Sequence, residues 1–309
     1  MSLELRNITK SYGEKVVVND LSFGLDKPGV YALLGTNGAG KTTTLRILLG
    51  MLNADKGEIF WNNKPMNATE VNIGYLAEER GLYPKYELMD QLIYFAALKG
   101  MSKQRAKEQI KYWADKLHVE EYLYITDKKG THSNKADQLS KGNQQKIQLM
   151  AALISDPDLV VLDEPLSGLD PVNSDLFKSV IREIINSGKY LILSSHQMEV
   201  IEEFCKDITI LNRGIPVLQG DLNEIKKSYG RVNLNLKAEG DVLNLIKKNN
   251  INILKETPDG YNLRVTDENQ AKALLSDMVT NNISIVKYEL REPSLHEIFV
   301  EKVGGETNE

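Results

Sequence analysis

The sequence predicts an α/β fold built on a parallel sheet, followed by a small α+β domain of the split βαβ type. Three observations predict it. An apolar run at residues 30–34 passes through a glycine loop into a helical pattern carried by Leu45, Leu48, Leu49 and Leu52. Two further apolar runs, 158–162 and 190–194, read as strands buried on both faces with a helix between them, the pattern of a parallel sheet whose crossovers cover both sides. After Gly230 the text changes character and follows the order β-α-β-β-α-β.

From residue 3 to residue 25 apolar and polar residues alternate around a turn at Ser11-Tyr12-Gly13, which predicts two short strands. Tyr12 therefore stands upstream of the glycine loop, where its ring either stacks on a nucleotide base or is simply an exposed turn aromatic. In the loop, Gly35, Gly38 and Gly40 lead to Lys41 and Thr42 with the spacing G-x-x-x-x-G-K-[ST]. Glycines let the backbone curl so that successive N–H groups point at phosphate oxygens, which a Cβ would hinder. In such a loop the lysine reaches the β- and γ-phosphates as a point charge and the hydroxyl ligates Mg2+. Leu45, Leu48, Leu49 and Leu52 recur at helical spacing, so the loop ends on a helix N-terminus whose dipole favours anions.

Residues 57–61 and 71–76 read as strands, and the second runs into a polar elbow at 77–84 that begins Ala77-Glu78. The period then turns helical over 89–98 and again after Ser102, where Ala106, Ile110, Trp113 and Leu117 share one face. This is a helical insertion, about 85–140 in extent, of normal subdomain size. Leu139-Ser140-Lys141-Gly142 opens a helix carrying Ile147, Met150, Ala151 and Ile154, with small residues at its start, where anions bind. The run 158–162 ends in Asp163-Glu164-Pro165 and is followed by Ser167-Gly168-Leu169-Asp170; the run 190–194 ends in Ser195-His196. Loops at the carboxyl ends of parallel strands gather on one edge, and the candidate chemistry is expected there.

In the last segment Val232, Leu234 and Leu236 alternate as a strand, 242–248 is a helix, and 251–255 and 261–265 flank Pro258-Asp259-Gly260 as a hairpin. A helix over 267–278, with Asp267 and Gln270 as a capping box, and a strand over 283–290 complete a ferredoxin-like order. The closing helix starts with Ser294 and Glu297 as a second capping box. Its face of Leu295, Ile298, Phe299 and Val303 either docks on a partner subunit or covers the chain's own sheet. The expected domains are 1–230 and 231–309.

A chain of 309 residues can hold one large domain and a small one, or two medium domains. Its 41% hydrophobic and 26% charged residues are those of an ordinary soluble protein. Without a membrane-length apolar run, and with no signal-peptide core in 1–10, a cytoplasmic location is expected. A net charge of −5 with interspersed signs offers no basic stripe for nucleic acid and no polybasic membrane anchor; membrane contact has to go through a partner. Cys205 is the single cysteine, which excludes an internal disulfide and a cysteine-based metal site and reads as a buried thiol.

The phosphate loop, the Leu139-Ser140-x-Gly142 signature, Asp163-Glu164, the loop ending in Asp170, and His196 stand in the order found in ATP-binding cassette (ABC) ATPases, which residues 1–230 resemble. The elbow 78–84, the signature 139–146 and the tail 292–299 further resemble ATP-binding subunits of bacterial sodium- and drug-export systems. The resemblance implies a P-loop ATP hydrolase that uses Mg2+. Gly35, Asn37, Gly38, Ala39, Gly40, Lys41, Thr42 and Thr43 would cradle ATP, and Tyr12 would stack on the adenine. Thr42, Asp163 and Glu78 would hold Mg2+; Glu164 would act as general base, His196 would contact the γ-phosphate and Glu164, and Lys41 would reach the γ-phosphate. Ser140 and Gly142 would complete the site of a second copy, so that a homodimer sandwiches ATP and Asp170 communicates across the interface. A separate transmembrane permease subunit, gripped by the helical insertion and the elbow, would hold the chain on the inner face of the cell membrane. Sodium or drug efflux is implied by the resemblance alone.

Two departures from the family pattern stand out. Glu78 occupies a position usually held by glutamine, and its carboxylate adds negative charge beside the phosphates that only the metal can offset. Lys141 and Asn143 replace commoner glycine and glutamine but leave Ser140 and Gly142 intact. The alternative function is a soluble ABC ATPase acting on ribosomes or nucleic-acid complexes. Against it stand the single cassette, the lack of a long coiled coil or zinc cysteines, and the acidic balance. Glu164 and His196 weigh against a nucleotide sensor without hydrolysis, and a simple kinase would have no use for Ser140 to Gly142.

Overall fold

The structure is a computed structural model that describes residues 1–79, 81–128, 130–258 and 260–304. It divides into two units, Met1–Gln219 and a second from Gly220 onward. Arg80 of the elbow and Asp259 of the expected hairpin turn lie outside the described residues.

The first unit begins with β1 (Leu3–Tyr12), β2 (Lys15–Leu25), β3 (Gly29–Gly35), α1 (Lys41–Leu48), β4 (Lys56–Trp61), β5 (Lys64–Pro65) and β6 (Ile73–Leu76). The helical insertion follows as α2 (Leu88–Leu98), α3 (Lys103–Leu117), α4 (Glu120–Leu123), β7 (Ile125–Asp127) and β8 (Gly130–His132). Then come α5 (Lys141–Leu153), β9 (Leu159–Asp163), α6 (Pro171–Asn186), β10 (Tyr190–Ser194), α7 (Met198–Phe204), β11 (Asp207–Asn212) and β12 (Ile215–Asp221). The second unit adds α8 (Leu222–Tyr229), β13 (Asn233–Glu239), α9 (Leu243–Lys248), β14 (Asn252–Thr257), β15 (Gly260–Arg264), α10 (Glu268–Thr280), β16 (Ser284–Arg291) and α11 (Leu295–Gly304).

The sheet that carries the candidate site has the order β12-β11-β3-β10-β9-β6. Within it β11, β3, β10, β9 and β6 pair in parallel, and every residue of β9 and β10 is buried, as strands covered on both faces require. An antiparallel sheet of order β2-β1-β4-β5 shares a core with its underside, in which Leu33, Leu45, Leu48, Val161 and Ile192 meet Leu5, Ile8 and Leu21. The first turn falls at Gly13-Glu14, and Tyr12 ends β1 paired with Lys15. β11 had no counterpart in the sequence reading, because Ile208, Ile210 and Leu211 form too short an apolar run to stand out between polar neighbours.

The second unit has a four-stranded antiparallel sheet of order β14-β15-β13-β16, with Leu234, Leu236, Ile246, Leu263, Leu274 and Met278 in its own core. The structural division falls before α8, whereas the expected boundary at 230 falls after it. Asp267 caps α10 by accepting the Asn269 and Gln270 amides at 2.7 and 2.9 Å, while the Gln270 side chain reaches past it to the Thr266 amide at 2.7 Å.

Leu295 and Ile298 of α11 are buried within this chain. The helix starts with a reciprocal cap: Ser294 Oγ accepts the Glu297 amide at 3.2 Å and Glu297 Oε2 accepts the Ser294 amide at 2.7 Å. Arg291 adds a fork to the same carboxylate at 2.8 and 2.9 Å. Burial pushes the Glu297 carboxyl up, but the Arg291 guanidinium and the Ser294 amide outweigh it and hold the group at about 2. A carboxyl depressed in the folded state stabilises fully above its unfolded value of 4.5 and loses that contribution as pH falls toward about 2. Glu297→Ala should therefore cost about 1 kcal/mol at pH 7, limited by solvent screening. Urea unfolding of both chains should show the difference shrinking below pH 4.5.

Candidate functional site

Gly35 ends β3, Lys41 starts α1, and the loop between them needs backbone that a side chain would obstruct. Gly40 has φ +104°, and a Cβ there would lie 2.5 Å from the Val17 carbonyl; at Gly35 it would lie 2.6 Å from the Leu211 carbonyl. The buried Lys41 ammonium donates to the Gly35 carbonyl at 2.8 Å and stands 3.8 Å from Glu164 Oε1. Thr42 Oγ1 donates to Asp163 Oδ2 at 3.2 Å, joining the first turn of α1 to the end of β9.

The register of β9 against β10 sets Ser194 opposite Asp163. The Ser194 hydroxyl donates to Asp163 Oδ1 and accepts the Glu164 amide at 3.2 Å, and that amide also reaches the Ser194 carbonyl at 3.1 Å. Glu164 has φ +49°, the left-handed region that residues with a Cβ enter only when their surroundings impose it. So turned, its Oε2 accepts the His196 amide at 3.2 Å and lies 2.7 Å from His196 Nδ1.

Asn37, Gly38, Ala39, Gly40, Lys41, Thr42 and Thr43 line one cleft of about 390 Å³ with Glu78, Asp163 and Glu164. Gly35 joins this group through Lys41 and His196 joins it through Glu164. Tyr12 is not in the lining, but it is 53% exposed and pairs with Lys15, which is. Ser140, Gly142 and Asp170 are also outside the cleft. Ser140 Oγ caps α5 by accepting the Asn143 amide at 3.3 Å, and a Cβ on Gly142 would lie 3.4 Å from Asn173 Nδ2. Asp170 caps α6 by accepting the Asn173 amide at 3.0 Å, and the amide and side chain of Asn173 hold its carboxyl below the usual range. The signature and the Asp170 loop thus meet at Asn173, apart from the phosphate loop.

Lys15, Val17 and Ser194 belong to the constellation and escaped the sequence reading. A hydroxyl ending an otherwise apolar run, as Ser194 does, is the signal that could have found the last; Lys15 and Val17 carry none. Lys15, Lys41, Glu78, Asp163 and Glu164 all line this cleft, with the Lys41 ammonium beside Glu164. Thr42 and Asp163 supply hydroxyl and carboxylate oxygens, the hard donors that Mg2+ takes in small number beside substrate phosphates. Among the described residues no group of three or more His, Cys, Asp or Glu could hold a metal by itself.

Residues 18–167 match the family model described as ABC transporter, and residues 220–303 match that of the ATP-binding protein DrrA1-3-like, C-terminal domain. The chain is 43% identical over 304 residues to an uncharacterized ABC transporter ATP-binding protein, YhaQ, of Bacillus subtilis, covering 98% of this chain and 99% of that one. It is 34% identical over 222 residues to Nod factor export ATP-binding protein I of Burkholderia orbicola, over 71% of this chain and 70% of that one. Among solved structures, the ATP binding subunit of an ABC transporter matches with a TM-score of 0.66 at 26% identity, over 74% of this chain and 94% of that one.

Ser194 gives the first test of this geometry. Ser194→Ala removes the hydroxyl shared by Asp163 and the Glu164 amide while leaving the Ser194 carbonyl bond in place. ATP hydrolysis should fall about tenfold or more, the scale of a lost hydrogen bond to a charged group, with ATP affinity changed less than about twofold in a parallel titration.

Proposed function

This chain belongs to the ABC transporter ATP-binding proteins, a family of ATP-hydrolysing P-loop enzymes, and from that membership we propose that it is the ATP-driven subunit of an export system. Two copies close on ATP and reopen after hydrolysis, and the motion is passed to a separate membrane subunit at the cytoplasmic face. The observation that carries this reading is the split of the constellation: the phosphate loop, Asp163 and Glu164 share one cleft, while Ser140 and Gly142 lie outside it. Each chain then offers two half-sites, and the isologous pairing of two identical chains completes both.

In the proposed mechanism the loop amides and Lys41 bind the β- and γ-phosphates, Lys41 exchanging its bond with the Gly35 carbonyl for phosphate oxygens. Thr42 and Asp163 would hold Mg2+, which supplies charge neutralisation at the phosphates. Glu164 accepts a proton from the attacking water as its oxygen bonds to the γ-phosphorus and the bond to the leaving ADP oxygen breaks. His196 Nδ1 holds the Glu164 carboxylate in place from outside. Glu78 stands at the same cleft on the elbow after β6, where nucleotide occupancy can reach the helical insertion.

That elbow supports the proposed membrane partner. A cavity of about 420 Å³ is lined by Leu76, Leu82, Phe95, Leu98 and Lys99, and Leu98 is 65% exposed although apolar. Tyr83, Tyr86 and Tyr94 are exposed too, with ring contacts linking Tyr83 to Tyr86 and Phe95. An apolar, aromatic rim of this kind suits a helical segment of a partner. The export direction is supported by the relative named for Nod factor export, and sodium ions and hydrophobic drugs are the cargo classes to test.

Glu164→Gln should bind ATP, lose turnover by at least about a hundredfold, and run as a dimer on gel filtration with Mg-ATP; turnover at the unmodified rate would end the general-base assignment. Leu98→Asp should leave the ATPase rate of the isolated chain unchanged. In detergent-solubilised membranes it should fail to retain a polytopic membrane protein that the tagged Glu164→Gln chain retains. Recovery of ribosomal or DNA-bound proteins in place of a membrane chain would overturn the transport reading.

A further inference from the structure

The hairpin end that carries Tyr12 is held by an unusual anchor. On one side β1 pairs with β4 only as far as Thr9, which lies opposite Lys56. On the other side it continues along β2 through Lys10, Ser11 and Tyr12, with register shifts on the way. Residues 10–12 therefore lack a strand neighbour on the β4 side, and an edge amide there needs another acceptor.

Asp55, the residue just before β4, is that acceptor. Its own amide donates to the Thr9 carbonyl at 2.8 Å; its carboxylate accepts the Ser11 amide at 2.7 Å and the Lys10 ammonium at 2.7 Å. The Lys10 side chain, only 13% exposed, carries its ammonium to 5.9 Å from the centre of the Tyr12 ring, within reach of a cation–π contact. Lys10 and the Ser11 amide hold the Asp55 carboxyl below its usual range, so the anchor is charged at neutral pH. Asp55 also lies on the connection from α1, the helix that begins at the phosphate loop, to β4. One residue thus ties the start of β4 to the strand end that presents Tyr12.

We propose that Asp55 is a positioning residue for nucleotide binding: through the Ser11 amide and Lys10 it fixes the plane of the Tyr12 ring on which the base stacks. The inference rests on the reading of Tyr12 as the base-stacking residue. Asp55 touches no phosphate, so its effect is confined to ligands that carry a base.

The test is titration of the full chain with Mg-ATP and, as a probe without a base, with Mg-tripolyphosphate. Tyr12→Ala and Asp55→Ala should each weaken ATP binding about tenfold, the scale of one lost base–aromatic stack, and leave tripolyphosphate within about twofold. The double variant should bind ATP no more weakly than Tyr12→Ala alone, since the anchor acts only through the ring. Asp55→Asn keeps an acceptor for the Ser11 amide and should recover most of the affinity. Equal weakening of both probes by Asp55→Ala, or its full factor reappearing in the Tyr12→Ala background, would overturn the inference. So would a deficit in Tyr12→Ala with none in Asp55→Ala. An ATP affinity untouched by Tyr12→Ala would overturn the stacking reading itself, and the role of Asp55 with it.

Discussion

The parallel pairing of β9 with β10 is the constraint on which the rest of the site depends. It places the Ser194 hydroxyl between the Asp163 carboxylate and the Glu164 amide. From that hydrogen-bonded corner one carboxylate is directed to Thr42 and the next to His196. Neighbouring residues on a strand normally point to opposite faces. Here the strand ends between them, and the left-handed backbone at Glu164 turns the second carboxylate back toward the cleft. Such a conformation costs about 1–3 kcal/mol where nothing imposes it, and the bonds from Ser194 and His196 are what impose it.

The electrostatics follow from the same corner. Lys41 is buried between carbonyls and the Glu164 carboxylate, so its charge is compensated before any ligand arrives. Glu78, Asp163 and Glu164 line the same cleft as Lys15 and Lys41, so carboxylates outnumber ammonium groups there. Glu78 adds to that excess, because a glutamine at its position would carry no charge. The cleft lies at the edge where the parallel strands end.

The second unit is constructed by more local rules. Its sheet order and core match the β-α-β-β-α-β text closely, because alternation and capping act over a few residues. The cap at Ser294 and Glu297 is present as spacing predicted, and Arg291 strengthens it from the preceding strand. The Gln270 side chain reaches one residue beyond its expected partner, since a side chain of that length can satisfy either amide and local packing chooses.

By itself the sequence determined the phosphate loop with the strand before it and the helix after it, the Asp163-Glu164 pair, and the caps at Asp267 and Ser294. Each of these is written in one continuous segment, where spacing and backbone preference suffice. Tertiary structure alone decided that Ser194 serves Asp163 and that Lys15 and Val17 enter the cleft. It also decided that β11 extends the sheet beside β3 and that Asp55 takes the place of a strand at the end of β1. Those outcomes depend on register between strands far apart in the chain, and register is set by packing of the whole core, which no single stretch of residues encodes.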